Sequence, residues 1–277
     1  AKGLKLILKG DANDYVGKGL SGATIAIKLS DESKVHVHAS FSSWSKFGFD
    51  VIVFGEDFHE EICKEYGFIL DTEYERSEFN IPLVRGLFQK ALTYTDYDVL
   101  CYLNSDIIFA SSPRKYIDEI EFDSFMAVGQ RLDVWNYPNV TRKELHNPGG
   151  IDYFFFTPNF RDWSDMPDFS IARGRFDHWV MGASLEINKP VIDLSQVFVP
   201  IHPEPKNRIT AEWWTLYAEN NYKLAYQILR NSWYYAKAKK HGQTNMTPFF
   251  MTEDGLLNRI TIPKNEYGRQ YEFDIRL

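Results

Sequence analysis

The chain has 277 residues, 44% hydrophobic and 25% charged, which is enough apolar material for one large domain or two small ones. Its net charge of −7 argues against a nucleic-acid partner, because an acidic surface repels a polyanion. Cys63 and Cys101 lie far apart in apolar segments and no CxxC or HxxxH spacing occurs, so neither a disulfide framework nor a zinc ribbon is expected.

Residues 1–22 are rich in Gly, Lys and Asp around one apolar piece, LKLIL, and read as an N-terminal extension or edge strand. Ala23–Ser30 (ATIAIKLS) alternates like a strand, and Asp31–Lys34 (DESK) opens a helix that Gly48 ends. Asp50–Gly55 (DVIVFG) is a short buried strand, Glu56–Gly67 a second helix, and Phe68–Leu70 a third strand. Asn80–Tyr94 (NIPLVRGLFQKALTY) is the clearest helix, with Asn80 as cap, Pro82 in the first turn and Val84, Leu87, Phe88, Ala91 and Leu92 as one stripe. A fourth strand follows, so the first 110 residues read β-α-β-α-β-α-β. That alternation implies a parallel sheet with helices on both faces and a ligand at the carboxyl ends of the strands.

The second half changes character. Strands are expected in FDSFMAVGQRLDVW, GGIDYFFFTP and PVIDLSQVFVPIHP, helix over 211–240, and an irregular tail over the last 35 residues. The expected organisation is one mixed α/β domain over 23–277. It comprises a Rossmann-like half (23–110), a second half (111–210) and a C-terminal helical segment with its tail (211–277). No signal peptide and no apolar run long enough to span a bilayer is seen, which predicts a cytoplasmic location without a membrane span.

Asp98–Pro113 (DVLCYLNSDIIFASSP) holds the feature that most needs explaining. Apolar residues run to Leu103, Asn104-Ser105-Asp106 interrupts them, and Ile107 resumes them. A buried carboxylate costs several kcal/mol unless it is paired. Asp106 therefore has a structural partner, or sits where a strand end opens onto a site and a cation comes to it.

The segments SSWSKFGFDVIVFGED, NIPLVRGLFQKA, YLNSDIIF, FMAVGQRLDVW, GGIDYFFF, GRFDHWV and IDLSQVFVPIHPEP occur in an order and spacing that resemble the nucleotide-sugar glycosyltransferases of the GT-A fold, over residues 23–222. In that family the metal-binding pattern after the buried strand is usually Asp-x-Asp; here Asn104-Ser105-Asp106 lacks the first carboxylate. The chain is also similar to glycan-building transferases of large algal viruses, which brings xylose in among the donor sugars, although no residue shows it. The resemblance implies transfer of a sugar from a UDP-sugar to a carbohydrate acceptor hydroxyl, with inversion. A retaining transferase and a non-catalytic carbohydrate-binding domain with a degenerate metal site are the alternatives.

It also implies roles for residues. Asp106 and His202 would hold Mn²⁺ or Mg²⁺, which neutralises the departing diphosphate. In the nucleotide-binding half (23–110), Asn104 would stand at the ribose with Ser105 beside it among the nucleotide-binding residues, and Ser30 where base and ribose meet the sheet; Lys206 and Arg208, in the acceptor-binding half (111–210), would stand at the diphosphate. Arg131 and Asp133 would bind donor sugar and phosphate, or pair with each other. Arg85 would face the nucleotide or solvent. Asp177 is the expected catalytic base, with Asp152 its rival or a ligand of a sugar hydroxyl. Gly149 and Gly150 would let a ligand approach the backbone. One of Trp135, Trp163 and Trp179 would stack on a sugar.

Overall fold

The structure is a computed structural model, and it describes residues 5–9, 24–28, 31–78, 80–94, 97–171, 174–187, 189–204, 216–229 and 244–258. In chain order the strands and α-helices are β1 (Lys5–Lys9), β2 (Thr24–Lys28), α1 (Asp31–Lys46), β3 (Ile52–Phe54), α2 (Glu60–Tyr66), β4 (Ile69–Asp71), α3 (Val84–Ala91), β5 (Leu100–Leu103), α4 (Arg114–Asp118), β6 (Met126–Val128), β7 (Leu132–Trp135), β8 (Arg142–Leu145), β9 (Tyr153–Phe156), α5 (Phe176–Glu186), β10 (Val191–Asp193), β11 (Ile201–Glu204), α6 (Leu216–Leu229), β12 (Phe249–Thr252) and β13 (Gly255–Asn258).

The fold is mixed α/β around a six-stranded sheet of order β13-β12-β10-β6-β9-β5. Strands β5, β6, β10 and β12 run one way, and β9 is threaded antiparallel between β5 and β6. β9 reads Tyr-Phe-Phe-Phe because it is covered on both faces, and alternation sends its rings to opposite sides. Phe154 and Phe156 meet Phe88 of α3, Trp163, and Trp179 and Val180 of α5. Tyr153 and Phe155 meet Phe198 and the cluster holding Phe41 and Trp44 of α1 and Cys63 of α2. The high aromatic content is therefore largely core. Trp163 and Trp179 belong to that core, and Trp135 stacks under the Arg142 guanidinium, 4.3 Å away.

Several expectations for the first half are corrected. β3 and β4 are parallel to each other but form a sheet of their own, and β2 pairs in parallel with β1. β5 sits at the edge of the central sheet, hydrogen-bonded to β9. The Rossmann-like continuous parallel sheet over 23–110 is thus not what the described strands form: neighbours in the sheet come from distant sequence, which local alternation does not encode. α3 begins at Val84 rather than after Asn80, because Pro82 and Leu83 are engaged in bridges to Arg76 and Ser170. Asn80 stands in a turn with φ 61°. Part of the expected tail is ordered sheet, with β12 and β13 forming a hairpin on the edge; Phe249 and Met251 are buried there. No helix among the described residues is long and apolar enough to cross a membrane.

Candidate active site

The antiparallel course of β9 builds the site. Its first residues lie at the carboxyl ends of β5 and β6, so Asp152 meets Asn104. The Asn104 backbone N–H donates to the Asp152 carbonyl at 3.1 Å, and its side-chain amide donates to the Asp152 carboxylate at 2.8 Å. The Arg131 guanidinium, just beyond β6, pairs with the other Asp152 oxygen.

Asp106 occupies the turn that ends β5. Two residues on, Ile108 and Ile201 exchange both backbone hydrogen bonds at 2.8 Å, which ties this turn to β11 and sets His202 beside Asp106. The His202 Nε2 lies 3.3 Å from the Asp106 carboxylate, and its Nδ1 lies 3.1 Å from Asp133 and 3.4 Å from Glu204. β11 pairs with β7 in a register that places His202 opposite Asp133. Asp133 also accepts from Arg131 Nε and from His146 Nδ1, each at 2.7 Å. A Cβ on Gly150 would come 2.5 Å from His146 Nε2, so this glycine makes room for the imidazole. Gly149 and Gly150 thus serve the turn around His146.

The electrostatics follow from burial against pairing. Burial lowers the affinity of His202 for its proton, but hydrogen bonds to Asp106 and Asp133 outweigh this and raise its pKa to about 9. Burial pushes Asp106 up, and the His202 hydrogen bond and charge bring it below the ordinary carboxylate value. Asp133 is likewise held below the ordinary carboxylate value: desolvation is overcome by bonds from His146, His202 and Arg131. Four carboxylates (Asp106, Asp133, Asp152 and Glu204) thus surround two cations, Arg131 and His202. The cluster carries excess negative charge in a poorly solvated place, which suits a further cation.

A cavity of about 1290 Å³ opens onto this cluster, lined by Asn104, Ser105, Asp106, Arg131, Asp152, Asp177 and His202. Nearly half of the Asp106 side chain (47%) faces it although protein surrounds the residue. Asp177 lies in the first turn of α5, and its carboxylate is 3.1 Å from His178 Nδ1. It comes from the far side of the chain to the same space. The donor atoms of Asp133, His202 and Glu204 lie within 4.8 Å of one another, a set that suits a divalent ion. Asp133 and Glu204 stand behind His202, away from the cavity lining, so Asp106 with His202 is the pair that faces it.

Of the remaining expected residues, Arg85 forms ion pairs with Glu75 at 3.1 Å and Asp168 at 2.6 Å and is not in the described lining. Ser30, Lys206 and Arg208 lie outside the described residues. Reading the sequence passed over His146, Arg175, His178 and Tyr222, all of which line the cavity. The paired glycines after His146 were the available signal for it.

No family model matches the chain, and no solved structure matches it. A stretch of 34 residues is 65% identical to part of "Glutamate synthase [NADH]" from Saccharomyces cerevisiae (strain ATCC 204508 / S288c). That stretch is 12% of this chain and 2% of the yeast protein, so it shows no family for the chain as a whole.

Proposed function

We propose that this chain is a GT-A-like, metal-dependent glycosyltransferase that moves a sugar from a UDP-sugar to a glycan acceptor hydroxyl with inversion. The observation that carries the reading is the convergence of Asn104, Asp106, Arg131, Asp152, Asp177 and His202, from five separate segments, on one cavity. A divalent ion at Asp106 and His202 would supply charge neutralisation for the diphosphate, and its binding would displace the His202 proton. Asp177 takes the proton of the acceptor hydroxyl as that oxygen bonds to the anomeric carbon. The bond from that carbon to the diphosphate oxygen breaks, and the electron pair leaves with UDP. Arg131 fixes Asp152 in place, and Asp152 accepts from a sugar hydroxyl. Fixed charges aimed at the departing diphosphate supply most of the rate.

The test measures UDP release from a panel of UDP-sugars with Mn²⁺, alongside calorimetry with UDP. Asp177→Asn is expected to bind UDP normally and lose transfer by at least 100-fold, while Asp106→Ala loses Mn²⁺-dependent UDP binding. Normal turnover in Asp177→Asn would remove it as base, and Mn²⁺-dependent binding that persists in Asp106→Ala would contradict the metal assignment. A second reading, a carbohydrate-binding domain without turnover, draws on one observation: the Asn104 amide is already committed to Asp152. No binding heat with UDP, with or without Mn²⁺, would favour it.

A further inference from the structure

The transfer proposed above gives Asp152 a sugar hydroxyl and gives His146 no part, although His146 lines the same cavity. His146 is pinned at its backbone and at one ring nitrogen. Its N–H donates to the Arg131 carbonyl at 2.9 Å, and its carbonyl accepts from the Gln130 side-chain amide at 2.5 Å. Its Nδ1 lies 2.7 Å from the Asp133 carboxylate and 3.3 Å from Arg131 Nη2. Hydrogen bonds from His146, His202 and Arg131 keep Asp133 ionised, so its oxygens only accept. The shorter contact therefore decides the tautomer: Nδ1 carries its proton towards Asp133, and the guanidinium packs beside it. Nε2 of the neutral ring is left with its lone pair.

Among the described residues Nε2 has no hydrogen-bond partner, and the atom is open rather than sealed, on a side chain that is 21% exposed. The point where a side chain at residue 150 would begin lies 2.5 Å from Nε2 and 2.8 Å from Cδ2. Gly150 lines the cavity too, so its missing Cβ leaves a gap at this edge of the ring. An acceptor with room in front of it, and with its opposite nitrogen tied to a carboxylate, is arranged to receive a donor from a ligand.

The neighbours narrow the class of that ligand. The Arg131 fork pairs with Asp152 through Nη1 and packs against His146 through Nη2, which sets the two side chains next to each other. The Asp152 oxygens take one bond each from Asn104 and Arg131, and each keeps a further lone pair. An anionic group would meet the Asp152 charge and the Nε2 lone pair and be repelled. Two adjacent acceptors suit two adjacent O–H donors. We infer that His146 and Asp152 form a diol subsite, in which neighbouring hydroxyls of one pyranose donate to His146 Nε2 and to Asp152, and that His146 thereby selects among sugar epimers. The inference rests on the reading of the cavity as a sugar site, and does not require transfer.

Calorimetry on the full chain with Mn²⁺, at one fixed pH, tests this in two arms. The first titrates UDP, UDP-glucose, UDP-galactose and UDP-xylose, and reports a donor sugar. The second titrates the methyl β-glycosides of glucose, galactose, mannose and xylose with UDP present, and reports an acceptor sugar. His146→Asn keeps an amide donor near the Nδ1 position for Asp133 and removes Nε2. Gly150→Ala keeps both ring nitrogens and fills the gap. Circular dichroism checks the fold of each, and either folded variant decides. In one arm the wild type should prefer one epimer, and the variants should bind that epimer about tenfold more weakly, narrowing the spread, while UDP binds as before. An equal loss for UDP and every sugar would make His146 a structural residue and overturn the inference. An unchanged epimer preference, or no sugar bound in either arm, would overturn it too. A His146-dependent preference in a protein that transfers nothing would support the subsite and sink the transfer. Transfer with the preference intact in both variants would do the reverse.

Discussion

His202 donates from both ring nitrogens to carboxylates, Asp106 on the cavity side and Asp133 behind, and folding therefore favours its charged form. The pH consequence has a definite sign. The folded pKa of about 9 lies above the ordinary 6.5, so the stabilisation is complete below about pH 6.5 and is lost as pH rises towards 9. Its full size is on the order of 3 kcal/mol. Asp106 and Asp133 titrate below their ordinary value of 3.8, so their contribution is complete above that value and disappears on further acidification. Urea unfolding of the chelator-treated protein should therefore show a plateau between about pH 4 and 6.5 and an alkaline decline. His202→Gln should flatten that decline; an unchanged alkaline limb would place the titrating group elsewhere. The pairing of Asp106 with a cation was legible in the sequence, because a carboxylate inside an apolar run needs one. Its sharing of His202 with Asp133 was not, since the two residues meet only through the parallel register of β7 and β11.

At the scale of elements, α6 steadies the entry to α5 through one buried residue. Asn221 is fully buried; its Oδ1 accepts from the Ser170 N–H at 2.9 Å, and its Nδ2 donates to the Ser170 carbonyl at 2.8 Å and the Gly174 carbonyl at 3.2 Å. Ser170 and Gly174 flank the entry to α5, where Arg175 takes a left-handed φ of 72° as cap and Asp177 follows in the first turn. Asn221→Ala leaves three backbone groups without this partner, and a buried unsatisfied group costs roughly 1–3 kcal/mol. The expected loss is about 2 kcal/mol in chemical denaturation. Exchange at the Ser170 amide should also speed up, and transfer should fall more than UDP binding. A stability loss with unchanged turnover would show that the clamp does not position Asp177. The first helices were readable from their start signals and closing glycines, as α1 and α2 show. The clamp was not readable, because a lone Asn in a helix pattern reads as solvated and only the fold brings residue 221 to residue 170.

For the whole molecule, the decisive property is a cluster with more carboxylates than cations, set in an acidic chain and opening onto a large cavity. The sequence pointed to Asp106, Arg131, Asp133, Asp152 and His202 but not to Glu204, and it did not show that β9 enters between β5 and β6, the step that closes Asp152 onto Asn104 and Arg131. A cation that binds only the folded arrangement must stabilise the entire domain by mass action, about 2.7 kcal/mol at a hundredfold excess over its dissociation constant. For a domain of this size that corresponds to a rise of roughly 5–10 °C in Tm. Mn²⁺ should therefore raise Tm in wild-type protein. UDP should add more with Mn²⁺ present than without, because a divalent ion held by Asp106 and His202 would neutralise charge on the diphosphate. Asp106→Ala should abolish the Mn²⁺ increment and the excess together, since one carboxylate faces both. Loss of the increment alone, with UDP still stabilising equally in the absence of metal, would point to Arg131 and protonated His202 as the diphosphate's partners. The transfer would then run on the protein's own cations.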